Sequence, residues 1–207
     1  MLFRSTDIPK SPRIQLPIFI ILMFADDIAA TGRDGGKNGD HQLQHGINYI
    51  HIWLCTWLMS ASPTKTLSVT FHRQRRSPTP KPLLLGGHPI QSVPSYNYLG
   101  LLYQTNIRRW DQHFTNILAR CARSAGLISR MIQPNTPIQP IRLLVQSLIY
   151  SVFSYGMPFW TIKKAQADRL LSIICTPLRR ALHLPHSTHR WSLMVECGLL
   201  HPLFQWD

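Results

Sequence analysis

Apolar residues fall into short unbroken runs and alternating stretches over the first hundred residues, and into three- and four-residue steps over the last hundred. The first run, Ile18 to Phe24, leads through Ala25 into Asp26 and Asp27, and a second, Ile28 to Ala30, follows. Each has the length of a buried strand, so Leu16 to Ala30 predicts a hairpin with paired carboxylates at its tip. Met1 to Gln15 shows no period and predicts an irregular start. Gly32 to Asp40 (GRDGGKNGD) lacks the spacing of a phosphate-cradling loop and reads as a flexible connection. Leu43, Ile47, Ile50, Leu54 and Leu58 then mark a helix over 40–59, with Asp40 suited to the positive helix end and Trp53 and Trp57 as core or rim packing.

Ser62-Pro63 ends that helix. Leu67 to Phe71 alternates as a half-buried strand, and the basic and Pro-rich stretch His72 to Pro82 reads as a loop. Gly86-Gly87 between apolar runs predicts a hairpin over Leu83 to Val93. Tyr96 to Tyr103 reads as one strand, with Gly100 at a close backbone approach. From Arg108 the period becomes helical. Trp110, Phe114, Ile117, Leu118, Cys121, Ala125 and Ile128 share one face, and Arg120, Arg123 and Arg130 fall off it. Ile141, Leu144, Val145, Leu148 and Val152 mark a third helix. Ala165 to Cys175 marks a fourth, and Thr176-Pro177 reads as the start of a short fifth.

Lys and Arg number 22 against 9 Asp and Glu, a net charge of +13, which favours polyanionic partners. At 44% hydrophobic the chain has the composition of a folded core, not of a disordered segment. Cys55, Cys121, Cys175 and Cys197 are scattered without zinc-ligand spacing and read as reduced core thiols. His183, His186 and His189 form only a loose cluster. Arg4, Lys10 and Arg13 ahead of an apolar run imitate a secretory leader, but Pro17 interrupts the run and Asp26-Asp27 stands where a small-residue cleavage site belongs. The run is also far shorter than the ~20 residues of a membrane span. The expectation is an intracellular protein, in nucleus or cytoplasm, not secreted and not membrane-bound.

A bare Asp-Asp pair is ordinarily a polar turn; the apolar strands on both sides give this one a chemical reading. Mg²⁺ prefers oxygen ligands and takes one or two carboxylates plus substrate phosphates, and two such ions can clamp an in-line phosphoryl transfer. The tetrad Phe24-Ala25-Asp26-Asp27 resembles the aromatic-x-Asp-Asp box of reverse transcriptases. The helix after it, Ser62-Pro63-Thr64-Lys65-Thr66 with its strand, Gly86-Gly87 and Tyr98-Leu99-Gly100 follow in the order of the second half of that family's palm, more narrowly that of non-LTR retrotransposon enzymes. Ser154 to Trp160 and Glu196 to Leu203 resemble segments after the thumb. The resemblance covers Leu16 to the C-terminus.

This resemblance implies an α+β chain: a partial polymerase palm (a β-hairpin with an Asp-Asp turn, a helix, further strands), then an all-helical thumb and a C-terminal helical region. By residue, 1–15 is an irregular N-terminal segment, 16–107 the partial palm, 108–160 the thumb and 161–207 a helical extension. Asp26 and Asp27 become metal ligands and, with Lys65, the catalytic residues; Lys65 would protonate or neutralise the leaving pyrophosphate. Tyr98, Leu99 and Gly100 become the primer grip, and Arg120, Arg123 and Arg130 the phosphate contacts. The cofactor is Mg²⁺, with Mn²⁺ as the alternative ion, and the partners are an RNA template, a DNA primer and a deoxynucleoside triphosphate. Asp7 is the sole carboxylate before Asp26 and its surroundings do not match the family's first catalytic Asp. The implied activity is thus RNA-directed DNA synthesis, in a chain inactive alone and lacking an upstream half. Two other readings compete: a noncatalytic nucleic-acid-binding module, and a decayed retroelement remnant that folds poorly.

Overall fold

Two apolar strands flanking a polar turn make the first hairpin. β1 (Leu2–Ser5) precedes it in the chain; the hairpin itself is β2 (Phe19–Phe24) and β3 (Asp27–Arg33), antiparallel, with Phe24 opposite Asp27. The structure, a computed structural model, describes residues 2–5, 19–33, 39–72, 82–106, 109–133, 136–160 and 162–202. The chain divides into two units, Met1–Arg109 and Trp110–Asp207. It is a mixed α and β protein, and among the described residues no helix is long and apolar enough to cross a membrane.

In the first unit, helix α1 (Gly39–Thr56) links β3 to β4 (Leu67–Phe71), and the hairpin of β5 (Leu83–Leu85) and β6 (His88–Ser92) follows. The sheet order is β2-β3-β1-β4-β6-β5. β1 fills the slot between β3 and β4 and runs parallel to both. The irregular start expected over 1–15 is therefore corrected at Leu2–Ser5. Four residues are too few to show a period, and this strand is defined by its neighbours; residues 6–15 lie outside the described set. The loop expected over 32–40 is also shorter, since Gly32 and Arg33 end β3 and Gly39 and Asp40 open α1. Most of the loop expected after Phe71 lies outside the described residues.

One face of α1 supplies the core. Leu43, Ile47, Ile50 and Leu54 pack with Ala30, Leu83 and Ile90, and Gly46 lets the ring of Phe19 approach to where a Cβ would meet it at 2.5 Å. Leu58, expected on this stripe, is 96% exposed: the helix ends at Thr56 and Leu58 adopts φ +55° beyond it. β4 is covered on both faces, with Ser68 and Thr70 buried beside Val69 and Phe71. β2 departs furthest from expectation. Its apolar run reads as buried, yet Ile20 to Phe24 are 39–61% exposed, because β2 is the terminal strand and only Phe19 packs on the core. The single strand expected over 96–103 is a further hairpin, β7 (Ser95–Tyr98) and β8 (Leu101–Gln104). Leu99 and Gly100 turn it with φ +48° and +81°, the signs a two-residue type I′ turn demands.

The second unit is helical. In α2 (Asp111–Met131), Phe114, Ile117, Cys121, Ala125 and Ile128 are buried, with Trp110 and Leu118 packed against them. The third helix runs as α3 (Ile138–Val145), a π-helical turn (Gln146–Tyr150) and α4 (Ser151–Ser154). Its buried stripe is Ile141, Val145, Ile149 and Phe153, with Leu144 and Val152 partly buried against it, whereas Leu148, which the three- and four-residue steps favour, is exposed. Steps of four overrun a 3.6-residue turn, and the wider π turn absorbs the excess. α5 (Lys164–Ala181) continues through Pro177, where two helices were expected. A mid-helix proline costs about 3 kcal/mol; burial of Leu170, Leu171, Ile174 and Leu178 on the same helix outweighs it. α6 (Arg190–Glu196) completes the unit. Cys121, Cys175 and Cys197 are buried free thiols, whereas Cys55, expected in a core, is exposed.

Candidate functional site

The β2–β3 register leaves Ala25 and Asp26 as a two-residue turn, with Ala25 at φ +50°. A non-glycine residue there is strained, and such strain clusters at functional sites. Asp26 occupies the turn, Asp27 opens β3, and both are exposed.

A second wall comes from the segment after α1. Met59 N donates to Leu54 O at 2.9 Å and Leu58 N to Cys55 O at 3.1 Å, a Schellman closure that reverses the chain. Ser62 O then accepts from Lys65 N (3.2 Å), Thr66 N (3.0 Å) and Thr66 Oγ1 (2.8 Å), which fixes Ser62 to Thr66 as a tight turn carrying Lys65. A third wall is β7, where alternation puts Tyr96 and Tyr98 on one face.

These three segments enclose a cleft of about 790 Å³ lined by Asp26, Asp27, Lys65, Tyr96, Tyr98 and Trp53, among others. Apolar walls with a few convergent polar groups are the usual form of a ligand site. Burial, then the Asp27 carboxylate, then Tyr96 hold the Tyr98 phenol above its ordinary pKa. The negative field of the hairpin thus reaches β7. Of the expected primer-grip residues only Tyr98 lines the cleft; Leu99 and Gly100 form the turn beyond it. Sequence reasoning overlooked Tyr96, although its two-residue spacing from Tyr98 is a legible signal. Trp53, expected as core or rim packing, packs against the core of the first unit and also lines the cleft.

Among the described residues no group of three His, Cys, Asp or Glu could hold a metal ion, and the loose histidine cluster makes none. Asp26 and Asp27 are thus a pair of carboxylates without a third ligand of this kind beside them among the described residues. Arg120, Arg123 and Arg130 lie in the second unit, all exposed on α2 away from its buried stripe. Comparison of the chain with protein-family models, with curated proteins and with solved structures gives no match.

Proposed function

We propose that the chain is the palm-and-thumb part of a reverse transcriptase of the non-LTR retrotransposon type, whose cleft takes the triphosphate of a deoxynucleotide at a template–primer end. The observation that carries this reading is the convergence of Asp26, Asp27, Lys65 and Tyr98, from three separate segments, on one cleft. Asp26 and Asp27 would hold one Mg²⁺ or Mn²⁺, which offsets the charge of the phosphate oxygens when bound. Lys65 would neutralise charge on the departing pyrophosphate. Tyr96 and Tyr98 offer aromatic faces on which the primer end packs. In-line transfer with two ions needs a further carboxylate, which the described residues do not add. The reading therefore assigns this chain metal-dependent nucleotide and template–primer binding, with no synthesis on its own.

The test titrates a fluorescent deoxynucleoside triphosphate with and without Mg²⁺, alongside primer extension on an RNA template. Binding should strengthen with Mg²⁺, and Asp26→Asn should weaken it at least about tenfold while leaving folding intact. Binding indifferent to both Mg²⁺ and Asp26→Asn overturns the reading. Extension by the unaltered chain but not by Asp26→Asn would keep the enzyme class and overturn the single-ion assignment.

The exposure of Arg120, Arg123 and Arg130 on one helix of a +13 chain supports a second reading, a noncatalytic nucleic-acid-binding module. It requires salt-sensitive binding that survives Asp26→Asn.

A further inference from the structure

In the second unit, the loop between α5 and α6 borders a cavity of about 390 Å³. Arg179 lines it and is only 8% exposed. Its Nη2 donates to the carbonyl of Thr188 at 2.8 Å. Its Nε is buried with no acceptor, and among the described residues no carboxylate lies within ion-pair distance. A guanidinium carries five N–H donors in a rigid fork. One carbonyl uses little of that capacity and none of the charge. Burying a cation is costly unless an anion compensates it.

Pinning the loop explains part of this geometry. The Thr188 contact and the bond from Leu184 N to Arg179 O (2.9 Å) tie the loop to α5. A neutral donor would pin it as well, so pinning leaves the buried charge unexplained. The rest of the cavity points the same way. Arg190 and the Ser187 and Thr188 hydroxyls line it with His186 and His189, and Asp168 is its one lining carboxylate. Two guanidinium groups and two hydroxyls facing one acid make a surplus of positive charge and donors, the complement of an oxyanion.

We propose that this cavity is a phosphate-binding site: the Arg179 fork takes phosphate oxygens from within, and Arg190 and the loop hydroxyls close on them from the mouth. Guanidinium matches phosphate in a bidentate way that a point charge does not. The phosphate is carried either by a free phosphate or nucleotide or by a nucleic-acid backbone. The site is built from residues of the second unit alone and does not depend on the function proposed for the cleft around Asp26.

The test uses the full chain, with inorganic phosphate titrated against chloride at matched ionic strength and followed by calorimetry and thermal melting. Saturable binding and a rising Tm are expected. Arg190→Gln, an exposed change, should weaken binding at least about fivefold, and Arg179→Met should abolish it. If Arg179→Met does not fold, Arg179→Lys, which keeps the charge and loses the fork, takes its place and should also weaken binding. No saturable binding at tens of millimolar phosphate, or an Arg190→Gln affinity within about twofold of wild type, overturns the proposal. Displacement of a labelled oligothymidylate by inorganic phosphate identifies the backbone as the source; phosphate binding without displacement identifies a free phosphate or nucleotide. Asp26→Asn should leave both measurements unchanged, which separates this site from the cleft.

Discussion

Gln44 on α1 grips both backbone polar groups of Leu84 on β5. Its Nε2 donates to Leu84 O at 2.7 Å and its Oε1 accepts from Leu84 N at 2.9 Å. β5 ends the sheet, and an edge strand left open is a template for another chain. Gln44→Ala should cost about 1–2 kcal/mol in urea denaturation, since two hydrogen bonds are lost and water replaces them only in part. Gln44→Glu should cost at least as much, because a carboxylate oxygen would then face the Leu84 carbonyl. Hydrogen exchange at the Leu84 amide should accelerate in both.

Leu58 and Gly198 hold the same left-handed place after α1 and α6, and only one is a glycine. Leu58 has φ +55° and no burial to offset it. Gly198 has φ +60°, with Leu199 N donating to Met194 O at 2.9 Å, and a Cβ there would stand 3.0 Å from Arg142 Nη1. Leu58→Gly should raise stability by about 0.5–1 kcal/mol, and Gly198→Ala should lower it by about 1–2 kcal/mol. Thermal melts of the two variants should move in opposite directions.

Groups of the second unit lower stability at both ends of the pH range. Burial pushes the Cys121 thiol from 9.0 up to about 12, against the opposing pull of Arg120. The folded state then keeps a proton that the unfolded chain releases, so stability should fall as pH rises from 9 towards 12. The slope is at most about 1.4 kcal/mol per pH unit from this group, and Cys121→Ala should flatten it. Burial, with Arg120 adding to it, lowers the pKa of His113; burial also lowers that of His201, which Asp168 partly restores. These groups resist protonation in the fold, so stability should also fall as pH drops below the ordinary histidine value of 6.5. Denaturant midpoints from pH 4 to 11 would show both limbs.

Leu22, in the middle of the terminal strand β2, is 52% exposed. Leu22→Lys should change stability by no more than about 0.5 kcal/mol. It should reduce light scattering on concentration, because a charge on an apolar edge opposes strand-to-strand association.

The exposed arginines of α2 test the nucleic-acid-binding reading. Arg120→Ala with Arg123→Ala should weaken single-stranded oligonucleotide binding and make the plot of log affinity against log salt shallower by about 1.4, at about 0.7 per phosphate contact. An unchanged slope would remove these residues from the interface.

Much of the fold was legible because its signals are local. The Gly86-Gly87 turn, with φ +57° and +83°, is visible from composition alone. The stripe from Phe114 to Ile128 declares α2, since its period repeats over about four turns. The misreadings share one cause, a local rule overruled by contacts distant in the chain. Pro177 breaks a helix unless that helix is buried on both sides of it. Leu148 belongs to the core face only if no π turn intervenes. Leu99-Gly100 passes for strand interior when strand pairing is unknown, although the two β7 tyrosines lie two apart and could have been read together.

Local order along the chain was sufficient for the paired carboxylates at a hairpin tip, for the change from strands to helices near residue 108, and for the surplus of positive charge. Spacing along a chain constrains only neighbours, and those features need nothing more. Packing alone brought Lys65, Tyr96 and Tyr98 to the cleft of Asp26 and Asp27, left β2 exposed at the sheet edge, and buried Arg179 beside a cavity with no carboxylate within ion-pair distance of it among the described residues. Each of these depends on which surfaces meet when distant segments share a core, and no period in the sequence encodes that.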